Sequence, residues 1–321
     1  NEHQAFDELE NIVAHLDEPH ADPVCIPFSI ISKKARQENI PVVLVGEGAD
    51  EVFLGYDLYQ KYHRLNRLGL TSSQSMLPQS IKSFLASAAS PFVKKNDFYQ
   101  DLVENWKSNR ALFWSGALSF TQTQKNNFHT PIQAVHDPIL EKMYPGLLTS
   151  GDTHDIIAYH RNKLREALPN ASLEQEISYL ELTHRLPELL LMRADKMSMM
   201  HGIEARVPYL DHTVAEFALQ LPTHLKIGWS STKYLLKKVA ERYLPRSIVY
   251  RKKQGFSVPL LQWLSQGEYF PSSANTLQKT PQSIVPYNAL PSSTNTSRIA
   301  IQRWSLLQLS LFEKSLYCTG R

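Results

Sequence analysis

The sequence predicts an α/β chain: a parallel sheet opened by a buried strand, followed by a remainder dominated by helices. Two observations carry this. The run Val42-Val-Leu-Val45 is continuously apolar and ends at Gly46, as expected of a parallel strand covered on both faces. On either side the apolar residues fall at helical spacing, so helix, strand, turn and helix follow one another as half of a parallel α/β unit.

Glu2 to His15 sets Phe6, Leu9, Ile12 and Val13 on one helical stripe. Pro27 to Asn39 predicts a helix with Phe28, Ile30, Ile31 and Ala35 apolar and Lys33, Lys34, Arg36 and Glu38 polar. Strand 42–45 leads through a glycine-flanked turn into a helix from Asp50. Thr71 to Ser90 is serine-rich and is expected to be irregular or short-helical, whereas Asp97 to Phe113 and Asp152 to Ala167 read as amphipathic helices. Pro187 to His201 has the clearest helical pattern, with proline in its first turn and Gly202 just past its end. Its methionines 197, 199 and 200 are expected in the core. Thr232 to Tyr243 is a further helix, closed by Leu244-Pro245. Phe270 to Ser297, rich in Ser, Thr, Pro and Asn, reads as a flexible insertion. Ile301 to Leu316 closes the chain as a helix with Ile301, Trp304, Leu307 and Leu311 at core spacing. The expected organisation is one domain over 1–270, an insertion at 271–299, and a last helix over 300–321 belonging to the same domain.

Composition narrows the function classes. The 321 residues are 42% hydrophobic and 20% charged, enough for a large core. A net charge of +3 with no lysine-arginine run gives no ground for nucleic-acid binding, and no apolar stretch approaches the roughly 20 residues that cross a bilayer. Cys25 and Cys318 lie far apart and form no metal-binding spacing, which fits a reducing, cytoplasmic setting. Cys25 reads as a small buried hydrophobe and Cys318 as a thiol of the tail.

The turn Gly46-Glu-Gly-Ala-Asp-Glu51 carries the chemistry. Glycine lets backbone approach a ligand closely, and ligands bind at strand ends in α/β sheets. Carboxylates Glu47, Asp50 and Glu51 at such a place suit Mg²⁺, which takes oxygen ligands and bridges to phosphates. A plain surface turn opening a helix is the alternative, because helix N-termini favour acidic residues.

Three further segments add weight: Arg193-Ala-Asp-Lys-Met-Ser-Met-Met-His-Gly-Ile-Glu-Ala-Arg206 with its continuation Val-Pro-Tyr-Leu-Asp-His212, Arg251-Lys-Lys-Gln-Gly-Phe256, and Leu16-Asp-Glu-Pro-His-Ala-Asp-Pro23. Together with the turn, in this order and spacing, they resemble the synthetase domain of the glutamine-dependent asparagine synthetase family. The resemblance implies a PP-loop ATP pyrophosphatase fold, that is, a parallel-sheet, nucleotide alpha-hydrolase-like α/β domain that is largely helical in its C-terminal half. It also implies a ligase that joins aspartate to ATP as an acyl-adenylate, releases pyrophosphate, and transfers glutamine-derived ammonia with loss of AMP. ATP and Mg²⁺ are the implied cofactors, an upstream glutaminase domain the implied partner, and a homodimer is compatible.

On the same resemblance, Asp50 would bind Mg²⁺, Glu47 would accept a proton from the amine, and Val45, Gly46, Glu47 and Gly48 would line the nucleotide. Lys253 would stabilise charge on phosphate and acyl oxygen, with its neighbour Lys252 solvated. Arg193, Lys196 and Arg206 would grip the acid substrate, and Glu204 would stand among the catalytic groups. The alternative for these last four is an ion-pair network in which Asp195 and Glu204 neutralise the cations. Glu51 either supports the metal site or caps the helix it opens. His15, His20, His201 and His212 show no ligand spacing and read as packing or surface histidines.

Three departures qualify the match. The family's Ser-Gly-Gly-x-Asp-Ser phosphate loop occurs nowhere in the chain, so a truncated synthetase domain, inactive by itself, is expected. Val45 stands where Ser or Thr is usual, and Leu54 where Gly is common. A relative amidating another carboxylate, or a non-catalytic binding remnant, therefore remains open. Retention of Glu47 favours ammonia as the nucleophile.

Overall fold

The computed structural model describes residues 2–69, 79–93, 97–108, 110–116, 119–120, 124, 142, 153–253, 255–256, 258–266 and 296–319. Helices α1 (Glu2–Asp7), α2 (Leu9–His15) and α3 (Cys25–Gln37) precede strand β1 (Val42–Leu44). The single N-terminal helix expected over 2–15 is interrupted at Glu8, whose carboxylate pairs with Lys33 of α3 at 2.7 Å. Helix α3 also presents a different face from the one its apolar residues suggest. Cys25, Ile26, Ser29 and Ser32 are buried while Ile31 is exposed. The serines are tolerated inside because Ser29 hydrogen-bonds His201 Nε2 at 2.8 Å.

After the turn come α4 (Ala49–Phe53), α5 (Asp57–Arg67), α6 (Gln79–Val93), α7 (Asp97–Lys107) and α8 (Thr153–Ala167). Of the two forms expected over 71–90, irregular or short-helical, α6 is the helical one and runs on to Val93, with 71–78 outside the described residues: the alanine-rich run Leu85-Ala-Ser-Ala-Ala89 has high helix propensity, and Ala86 is buried.

The next helix is far longer than predicted. It starts at α9 (Leu173–Leu180) with a capping box between Ser172 and Gln175, continues through a π-helical segment (Glu181–Leu191), and ends as α10 (Met192–Met199). Pro187 therefore lies inside a helix, not in its first turn. The wider π turn accommodates it, because proline lacks the N–H that an α turn would use and its ring would clash with the preceding turn. Met197 is fully buried as expected, but Met199 is exposed.

Beyond Gly202, strand β2 (Glu204–Arg206) pairs parallel with β1, aligning Val42 with Glu204, Val43 with Ala205 and Leu44 with Arg206. The chain is thus an α/β protein, largely helical with a small parallel sheet. Burial of β1 on both faces is not observed: Leu44 is 74% exposed, on the face it shares with Glu204 and Arg206. Among the described residues the sheet has two strands, too few to be covered on both sides.

A 3₁₀ turn (Pro208–Leu210) and helices α11 (His212–Gln220), α12 (Thr223–Lys226), α13 (Tyr234–Ala240), α14 (Arg246–Val249) and α15 (Leu260–Gln266) follow. Helix α16 (Ser297–Thr319) is last. The insertion expected over 270–297 lies outside the described residues except for its last two positions, as does the Cys318 side chain. In α16, Trp304 and Leu307 are buried as predicted, but Ala300 takes the core position expected of Ile301. One core joins α2, α3, α10, α15 and α16 around Ile12, Ile26, Met197 and Trp304. A second joins α5, α8 and α9 around Tyr59, Ile157, Ile177 and Leu180. No helix among the described residues is long and apolar enough to cross a membrane.

Candidate functional site

The turn between β1 and α4 owes its shape to Gly48. The ladder ends where the Val45 N–H donates to the Arg206 carbonyl at 2.8 Å. Gly48 then takes a left-handed φ of 86°, and a Cβ there would lie 2.3 Å from Leu210 Cδ2. The chain reverses into α4, and the carboxylates expected to cluster there leave in three directions instead.

Glu47 pairs with Arg193 Nη2, and Arg193 Nη1 pairs with Asp22, whose other carboxylate oxygen accepts the Val24 N–H at 2.9 Å. Arg193 is 5% exposed and lies 5.9 Å from the Phe28 ring centre. Arg193 thus sits in a buried ion-pair group whose carboxylates are Asp22 and Glu47, not the Asp195 and Glu204 that the ion-pair alternative named.

Asp50 meets two lysines. Lys253, 203 residues away in sequence, places Nζ 2.8 Å from Asp50 Oδ1, and Lys233 places its own at 2.9 Å from the same oxygen. Lys233 holds a left-handed φ of 50° at the head of α13, an uncommon conformation for a side-chain-bearing residue. Gly55 makes room: a Cβ there would fall 1.9 Å from Asp50 Oδ1 and 2.1 Å from Lys233 Cε. Lys253 Nζ also sits 4.1 Å from the centre of the Tyr56 ring. Beside this group opens a cleft of about 470 Å³ whose walls include Lys233, Lys237, Arg251, Lys253 and Asp57. Burial, aided by nearby Lys233, lowers the Lys237 pKa.

Glu51, in the first turn of α4, points inward. It is 1% exposed, accepts the Tyr56 hydroxyl at 2.9 Å, and has Arg185 at 3.8 Å. Burial pushes its carboxyl above the usual carboxylate range, and the Tyr56 hydrogen bond and Arg185 oppose that only in part.

Lys196 pairs with Asp17 at the surface, and that hydrogen bond raises its pKa. Glu204 and Arg206 pair with each other at 2.8 Å, both exposed. The structure does not bring Glu204 to the turn: it aligns with Val42, and strands advance about 3.3 Å per residue. Among the described residues no three His, Cys, Asp or Glu side chains are grouped to hold a metal ion. A closed protein cage for a metal is therefore not seen among the described residues.

Lys233, Tyr56 and Asp22 were given no role from sequence. Lys233 follows Gly-Trp-Ser-Ser-Thr, a segment with no distinctive spacing. Tyr56 stands three residues past the Gly-Glu-Gly-Ala-Asp-Glu-Val-Phe run, a place that names no partner.

The site is thus a glycine turn at the end of a parallel strand of an α/β protein, carrying a carboxylate that gathers lysines from distant segments. The chain belongs to the asparagine synthase family, which matches residues 1–310. It is 30% identical over 262 residues to asparagine synthetase [glutamine-hydrolyzing] 1 of Bacillus subtilis, covering 81% of this chain and 37% of that protein. Asparagine synthetase [glutamine-hydrolyzing] of Gallus gallus is 42% identical over 78 residues, 22% of this chain and 14% of the relative. Asparagine synthetase [glutamine-hydrolyzing] 3 of Bacillus subtilis is 40% identical over 67 residues, 21% of this chain and 11% of the relative. The chain thus spans little more than a third of the Bacillus relative that it matches most extensively of these three. No solved structure matches it significantly.

Proposed function

We propose that this chain is the ATP-consuming part of an amide-forming ligase of the asparagine synthetase type, built on a PP-loop-like nucleotide fold and working in the cytoplasm. Its substrates on this reading are ATP, aspartate, and ammonia delivered from glutamine by a glutaminase domain, as the names of the relatives suggest. The observation that supports it best is the convergence of Lys253 on Asp50 at the Gly-Glu-Gly turn.

The substrate carboxylate attacks the α-phosphorus of ATP, the bond to the β-phosphate oxygen breaks, and pyrophosphate leaves. Ammonia then attacks the acyl carbon, and AMP leaves with the bonding pair. Lys253 and Lys233 turn from Asp50 to the charge that builds on the phosphate oxygens. Bound Mg²⁺ would supply charge neutralisation at the phosphates, with Asp50 as its protein ligand. Backbone of Val45, Gly46 and Gly48 borders the nucleotide. Arg193 and Lys196 grip the acid, and release of Glu47 from Arg193 frees a carboxylate to take the proton of the attacking amine. Glu204 and Arg206 enter this reading through the family resemblance alone.

The test is aspartate-dependent exchange between ATP and pyrophosphate in the intact protein. Lys253→Ala is expected to cut exchange by about 10²–10³-fold while ATP affinity holds, the usual cost of removing one charge-stabilising group. Asp50→Ala is expected to abolish it. Unchanged exchange in either variant would remove that residue from the site, and exchange driven by a different carboxylate would change the substrate.

A further inference from the structure

We propose that Tyr56 is a positioning residue for Lys253: its ring is the platform that holds the ammonium beside Asp50, and Glu51 with Arg185 holds the ring. The inference rests on the adenylation reading for the value of Lys253, and on geometry for the rest.

A lysine side chain has four rotatable carbons and one point of charge, so placing Nζ takes more than a single partner. Lys253 lies in a stretch without regular structure, and its carboxylate partner is shared, because Lys233 takes the same oxygen of Asp50. The Tyr56 ring, 4.1 Å from Nζ, supplies a second point of attachment through its negative face.

The ring is itself fixed. Its hydroxyl donates to Glu51 of α4 at 2.9 Å, and the Arg185 guanidinium lies 4.4 Å from its centre. Arg185 is anchored by Glu181 at 2.9 Å, and Glu181 in turn accepts the Tyr59 hydroxyl and the Gly116 N–H. A chain of linked groups, with Glu51 and Glu181 buried, thus runs from the π-helical segment to the ammonium. It accounts for a carboxylate, Glu51, that sits fully buried one residue after Asp50 and that the reaction does not use. Reacting groups misplaced by about 1 Å lose on the order of 10²-fold in rate, so a platform of this kind acts on kcat and not on substrate affinity.

The experiment uses the intact protein with Tyr56→Phe, Tyr56→Leu and Tyr56→Met, and Lys253→Ala as reference. Leu and Met both remove the ring, so failure of one to fold leaves the other. Exchange between ATP and pyrophosphate is read as kcat and KM. Acylation of each lysine in ligand-free protein is read by mass spectrometry, with buried Lys226 reporting on folding. The ringless variants are expected to lose about 10–100-fold in kcat at unchanged KM for ATP, while Phe, which keeps the ring, loses only a few-fold. Lys253 should acylate several-fold faster in Leu and Met, with Lys226 still protected.

Wild-type kcat and wild-type Lys253 acylation in the ringless variants would overturn the proposal, and so would a Phe variant as impaired as Leu. If Lys253→Ala leaves exchange untouched, the adenylation reading fails. The acylation rates then still decide whether Tyr56 holds Lys253.

Discussion

Leu54 stands in a left-handed backbone with φ 56° and is fully buried. Glycine, common in the family here, would relieve about 1–2 kcal/mol of left-handed strain. It would also empty a buried leucine site, and Leu-to-small changes cost about 2–5 kcal/mol. Leu54→Gly should therefore destabilise by about 1–3 kcal/mol in urea unfolding, because packing outweighs strain. Gly55 presents the opposite case. Gly55→Ala would drive a methyl into Asp50 and Lys233, and exchange activity should fall at least about tenfold as their shared geometry is lost. Cys25, buried with its Sγ 3.4 Å from His20 Nδ1, has a thiol pushed up to about 12 by burial. Against an ordinary thiol that leaves about a thousandfold less thiolate at pH 8, so peptide-resolved alkylation should find Cys25 inert until the protein unfolds. Glu47, Asp50 and Lys253 could be singled out as candidates from sequence because each stands in a run of recognisable spacing. Their partners could not. Asp22 pairs with Arg193 across 171 residues, and no local pattern encodes such a distance.

At the scale of elements, long apolar periodicity was readable and short or irregular structure was not. Helix α8 falls on its predicted span and α16 overruns its own at both ends, because each repeats its apolar spacing over several turns, whereas α7 stops at Lys107, short of the predicted Phe113. Strand β2 escaped because Glu204-Ala-Arg206 is three residues long and charged at both ends, and the parallel partner supplies the reason it is extended. The π-helical segment escaped because Pro187 ordinarily marks a start. That segment has a consequence for pH. His184, carried on it, packs edge-on against His160 of α8 with ring centres 4.1 Å apart. Burial, neighbouring His184 and then Lys163 bring the His160 pKa down to about 4, and burial lowers that of His184 against the pull of Glu188 and Glu181. Both rings are neutral when folded and take up protons more readily when unfolded. A lowered histidine pKa gives stability that is complete above the unfolded value of about 6.5 and lost as pH falls towards 4. The midpoint of unfolding should decline over that window, and His160→Phe should flatten the decline in scans from pH 7 to pH 4.

Taken as a whole, the molecule is tied together at the site by one buried cation. Arg193 on α10 joins Asp22 of the segment between α2 and α3 to Glu47 of the turn after β1, so three parts of the chain far apart in sequence meet on one guanidinium. Lys196, one turn along the same helix, makes a comparable pair with Asp17, but there the carboxylate is 75% exposed. The two should respond very differently to loss of charge. Arg193→Met leaves two partly buried carboxylates unpaired, and breaking such a group costs about 3–5 kcal/mol. Lys196→Met removes a surface pair worth about 0–1 kcal/mol. Urea unfolding of the two variants should separate them by that margin. Adding Asp22→Asn and Glu47→Gln to Arg193→Met should recover much of the loss, since the penalty lies in uncompensated charge and not in the missing contact. If Arg193→Met is no less stable than Lys196→Met, the guanidinium does not hold these segments together.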